Sequence, residues 1–136
     1  MYGLDNLVRY FANPCGQAVI EAMRRGDLGF IDTPAQGNKR PDDVIWCADN
    51  GAFSDKFDER KWWRFLEANA HRAKSCVFAV APDVVGDAAA TLERSLPWLP
   101  NIRPPGHPAA FVTQDGRENP TVPWDDEPNP RPTRSA

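Results

Sequence analysis

An α/β fold with a mainly parallel sheet follows from two observations. Short apolar runs alternate with stretches of helical spacing through the first 116 residues, and each apolar run stops at a polar cluster. Parallel neighbours need a crossover connection, so strands alternating with helices imply βαβ units. Right-handed crossovers then bring every strand C-terminus to one edge of the sheet. A (β/α)8 barrel and an open doubly wound sheet both satisfy this pattern, and both place their sites at that edge.

The elements follow in order. Leu7 to Ala12 reads as a first strand, ending at Asn13-Pro14-Cys15-Gly16. A helix is expected from Gln17 to Arg25, with Val19, Ala22 and Met23 on one side and a stop at Gly26. Leu28 to Ile31 is a second strand ending at Asp32-Thr33-Pro34, followed by a polar loop through Gln36, Gly37, Asn38, Lys39 and Arg40. Val44 to Ala48 is a third strand that opens onto Asp49, Asn50 and Gly51. Asp58 is placed to cap a helix running to about Lys74. Its residues Trp62, Phe65, Leu66, Ala70 and Ala73 trace one face, so the tryptophans read first as packing residues. Cys76 to Ala81 forms a fourth strand ending at Pro82-Asp83, and Asp87 caps a helix with Ala88, Ala89, Leu92 and Leu96 on one side. Pro97 closes that helix. After a proline-broken connection, Ala109 to Val112 forms a fifth strand, ending at Thr113-Gln114-Asp115-Gly116.

Composition narrows the function. The chain has 136 residues, 14 prolines and a formal net charge of −3, so no bulk attraction to phosphate backbones is expected. Cys15, Cys47 and Cys76 are odd in number and widely spaced, which fits neither a disulfide framework nor a four-cysteine zinc site. His71 and His107 each lack a second ligand at metal spacing. No metal or cofactor is expected. The absence of a signal-peptide pattern or a long apolar run points to the cytoplasm rather than a membrane.

The strand ends carry the chemistry. Asn13, Asp32, Asp49, Asp83 and Gln114 are expected to converge on one edge. Asp and Asn also cap and turn at strand ends for purely structural reasons, so the set is more telling than its members. Two carboxylates, Asp49 and Asp83, suit general acid/base work or attack at a glycosidic carbon. Gln114 adds a donor and an acceptor for the edge of a heterocyclic base. Glycine-rich phosphate loops, a nucleophile elbow and a Cys–His pair are lacking. A glycoside hydrolase-like barrel also remains open at this point.

Asp49-Asn50-Gly51-Ala52-Phe53 resembles the Asp-Ser-Gly-Gly-Phe motif of tRNA-guanine transglycosylases, the base-exchange enzymes of queuosine and archaeosine formation. The wider pattern is similar to the transglycosylase-like proteins of actinobacteria and their phages. It rests on segments 11–16, 31–34, 46–51 and 81–87 in the same order, and it covers about residues 8–116. The resemblance implies the N-terminal part of a (β/α)8 barrel, with about five parallel strands, that exchanges guanine for a deazaguanine on tRNA or DNA. It implies that Asp49 is the general acid/base, that Asp83 and Gln114 read the purine edge, and that Asn13, Asp32, Asn50 and Gly51 line the base site.

The family's nucleophilic aspartate and its glycine pair lie on later strands, and its cysteine-rich zinc site is also absent here. The expectation is therefore an incomplete barrel domain over 1–116, impaired or inactive alone. The alternatives are a non-catalytic purine- or deazaguanine-binding module, or a half-barrel completed by self-association or a complementing chain. Residues 117–136 hold five prolines and read as a largely disordered tail, of which Pro123-Trp124-Asp125-Asp126 could dock on the core.

Overall fold

The computed structural model describes residues 9–53 and 57–115. Leu7 and Val8 of the expected first strand, and the whole of the expected tail, lie outside the described residues.

Among the described residues, five strands form one all-parallel sheet: β1 (Phe11–Ala12), β2 (Gly29–Asp32), β3 (Trp46–Ala48), β4 (Cys76–Val80) and β5 (Ala109–Ala110). Their spatial order is β1-β2-β3-β4-β5, the same as their order in the chain. Among the described residues, such an order has no point at which the winding reverses, unlike the central crevice of an open doubly wound sheet. Helix α1 (Gln17–Arg24) links β1 to β2, and α2 (Glu59–Ala68) lies between β3 and β4. Helices α3 (Ala88–Ser95) and α4 (Leu99–Ile102) lie between β4 and β5.

One face of the sheet is buried under helices. Phe30, Trp46, Ala48 and Ala79 join Met23 of α1, Trp62 and Leu66 of α2, and Leu99 and Ile102 of α4 in a single core. Alternation along the strands sends Phe11, Ile31, Cys47 and Val80 to the opposite face. That face is concave. The rings of Phe11 on β1 and Phe78 on β4 meet edge-on, with centroids 5.6 Å apart. Two strands separate β1 from β4, and a flat sheet would hold their backbones about 14 Å apart. Gly29 makes room for this closure: a Cβ there would lie 2.4 Å from the Phe11 ring. A register shift adds to the bend, since Trp46 pairs with Cys76 but Ala48 with Ala79, one residue more on β4.

Three expectations change. The helix over 58–74 ends at Ala68 and resumes as a 3₁₀ turn over Ala70–Ser75. Asn69 is the cause: its side-chain amide donates to the Phe65 carbonyl at 2.8 Å, capping the α-helix from within. The buried side of α3 is Ala88, Thr91 and Ser95, while Leu96 is exposed. Both hydroxyls find partners: Thr91 Oγ1 donates to the Val84 carbonyl and Ser95 Oγ to the Pro82 carbonyl. The proline-broken connection contains the extra turn α4, with Pro100 in its first turn, where a missing N–H costs nothing. Asp58 and Asp87 do cap their helices. Asp58 accepts from the backbone N–H of Arg60 and Lys61, and Asp87 from that of Ala90. Among the described residues, no helix is long and apolar enough to cross a membrane.

Candidate functional site

The C-terminal ends of β3, β4 and β5 meet in one hydrogen-bonded network. Asn50, two residues past β3, is 4% exposed. Its Nδ2 donates to the Ala81 carbonyl at 3.0 Å and to Asp83 Oδ1 at 3.3 Å. From the β5 side, Gln114 Nε2 donates to Asp83 Oδ2 at 3.0 Å. Gln114 Oε1 in turn accepts from the Gly86 N–H at 3.0 Å, which fixes the orientation of the amide. Gly86 can offer that N–H because it holds a φ of 78°, a region that favours glycine. Each oxygen of the Asp83 carboxylate thus receives one amide donor.

The loop carrying Asp83 is braced from α3. The Val84 N–H donates to Thr91 Oγ1 at 2.9 Å, while the same hydroxyl donates back to the Val84 carbonyl at 2.9 Å. Ser95 Oγ donates to the Pro82 carbonyl at 2.6 Å, and Arg94 donates to the Asp83 carbonyl at 3.1 Å. Residues on either side of the carboxylate are therefore pinned. The apolar face expected of α3 does not include this brace, whose signal is two hydroxyl residues four apart behind a Pro-Asp strand end.

Asp49 adjoins the network by a tight turn. Its Oδ1 accepts from the Gly51 N–H at 3.1 Å, and Asn50 Oδ1 accepts from the Ala52 N–H at 2.6 Å. Two overlapping side-chain turns of this kind, with Gly51 at a φ of 73°, reverse the chain directly after β3. Beside them lies a cleft of about 320 Å³ whose lining includes Thr33, Pro34, Asn50, Gly51, Asp58 and Lys61. Asn50 belongs to both the cleft wall and the Asp83 network.

The two remaining strand-end residues have other contacts. Asn13 is exposed and accepts from Gln36 Nε2, which also donates to the Ile31 carbonyl at 3.3 Å. Asp32 shares the helix-covered face with Phe30, and its Oδ2 pairs with Arg40 Nη1 at 2.7 Å. The pair is buried, with side chains 12% and 5% exposed. Burial pushes the Asp32 carboxyl up and outweighs the pull of Arg40 in the other direction, and burial likewise pulls Arg40 down. Arg40 also donates to Asn69 Oδ1 at 2.7 Å and stacks 3.7 Å over the Trp46 ring. Nothing in the polar loop around Arg40 distinguishes it from Lys39; only the folded chain shows that it is buried.

Cys47 and Cys76 are buried, and burial first of all pushes both thiols up to about 12. Neither supplies a thiolate at neutral pH. Compared with known proteins, the chain matches no family model, no curated protein and no solved structure.

Proposed function

We propose that the mouth of β3, β4 and β5 is the purine-reading part of a deazaguanine transglycosylase-like site, and that the curled sheet is the N-terminal part of a (β/α)8 barrel. The observation that carries the reading is the Asp83 carboxylate held by Asn50 and Gln114. A carboxylate offers about four lone-pair sites, and the two amides occupy one on each oxygen. The other sites accept from the adjacent N1–H and 2-amino groups of guanine or a 7-deazaguanine. Adenine presents an acceptor at N1 and is repelled. Sequential strand order and the contact between Phe11 and Phe78 support the barrel.

In this reading Asp83 binds the base, while Gln114 and Asn50 position Asp83. Asp49 handles the proton on the departing and incoming base. The family's nucleophilic aspartate comes from a strand later than β5, so residues 9–115 take recognition and proton handling, not the attack. A carboxylate that reads N1–H and the 2-amino group takes a base extruded from its stack, from tRNA or DNA.

Calorimetric titration tests the reading. Guanosine or 7-deazaguanine binds at least tenfold more tightly than adenosine, in line with about 1–3 kcal/mol for one correctly read base edge. Asp83→Asn removes that preference. Equal affinity for guanosine and adenosine, or an Asp83→Asn variant that binds guanosine as well as the wild type, overturns it.

A further inference from the structure

A second surface lies on the helical side of the molecule, along the N-terminal half of α2. It is a groove of about 300 Å³ lined by Glu59, Arg60, Trp63, Arg64 and Trp98. Adjacent tryptophans on α2 differ in burial: Trp62 is wholly buried in the core, whereas Trp63 is only partly covered. Trp63 and Trp98 stand 6.3 Å apart between ring centroids, tilted by 56°, and form an aromatic trough. Arg60 and Arg64, one turn apart on α2, are exposed beside Trp63, and Glu59 is exposed next to them, so two cations and one carboxylate rim the trough.

We propose that this groove is the docking site of the chain's own segment Thr121 to Glu127. Three features point to that occupant. The segment reads Thr-Val-Pro-Trp-Asp-Asp-Glu, and Val122 and Trp124 are the only large apolar side chains between Gly116 and Ala136. Asp125, Asp126 and Glu127 follow directly, and they complement the Arg60 and Arg64 rim. Prolines at 120, 123, 128 and 130 favour an extended polyproline backbone, the shape that lies along aromatic-lined grooves with little ordering cost.

The reach is sufficient. Asp115, the last described residue, follows β5 at the sheet edge where α2 begins. The seven residues from Asp115 to Val122 span up to about 25 Å when extended. The groove shares no lining residue with the Asp83 network, so the proposal is independent of the purine reading.

The test uses the full chain. A nitroxide is attached at Glu127→Cys in a Cys15→Ser background, Cys47 and Cys76 being buried. Indole N–H signals of Trp63 and Trp98 are assigned from Trp63→Phe and Trp98→Phe. Docking broadens these two indoles more than any amide of β1 or β2. Arg60→Glu with Arg64→Glu abolishes the broadening, as does Asp125→Lys with Asp126→Lys, and combining all four substitutions restores it. Three outcomes overturn the proposal: unbroadened indoles, broadening centred on Phe11, Ile31 and Val80, or an effect that appears only between molecules when labelled and unlabelled chains are mixed.

Discussion

Arg40 ties three elements together through one side chain. It pairs with Asp32 at the end of β2, covers Trp46 on β3 and bonds Asn69 at the end of α2. A buried ion pair contributes little compared with an apolar pair of the same volume, but losing one partner strands the other charge. Arg40→Ala should therefore cost about 3–5 kcal/mol, read as a drop in the urea midpoint. Replacing both partners, Asp32→Leu with Arg40→Met, should recover most of that loss.

His107 makes a second prediction at this scale. It is 1% exposed, meets Trp46 edge-on, and bonds the Leu66 carbonyl through Nε2 at 2.9 Å. Burial is the main reason that its pKa is lowered below 6.5 in the folded chain. The unfolded chain therefore takes up a proton first as pH falls. Stability is undiminished above about pH 6.5 and declines from there toward the folded value. Urea midpoints at pH 7.5 and 5.5 should show the decline in the wild type, and His107→Gln should flatten it.

At the scale of elements, the capping aspartates were legible because their chemistry is local: a carboxylate meets N–H groups two or three residues on. The α3 surface was not. Thr91 and Ser95 look polar in sequence, and their burial makes sense only once Val84 and Pro82 are seen beneath them. The break at Asn69 was missed for a similar reason, since an asparagine within a helical pattern gives no sign that it will turn back on the preceding carbonyl. Thr91→Val tests the brace directly. It removes both hydroxyl contacts and leaves the Val84 N–H unmatched, a loss of about 1–3 kcal/mol. It should also weaken guanosine binding, whereas Leu96→Ala, at an exposed position of the same helix end, should alter neither.

For the molecule as a whole, alternation of apolar runs was enough to read an α/β chain with parallel strands and a common polar edge. The spatial order of strands was not readable, because the same alternation serves barrels and doubly wound sheets alike. That order rests on long-range contacts. Phe11 reaches Phe78 over Gly29, and all the helical contributions to the core fall on one face. The polar edge also divides more finely than expected. Asn50, Asp83 and Gln114 join three strands in one network, while Asp32 is held beneath the sheet by Arg40 and Asn13 by Gln36. Strand-end position predicted proximity to the edge, but the partner each side chain took depended on residues far away in the chain.

The central claim is that Asp83, positioned by Asn50 and Gln114, reads a purine edge. Side-chain amide signals of Asn50 and Gln114, followed by NMR during titration with guanosine, report on it directly. The account predicts saturable shifts of both amides with guanosine, far weaker ones with adenosine, and none in Asp83→Asn. Amides that stay in place at saturating guanosine, or that shift equally with adenosine, would contradict it.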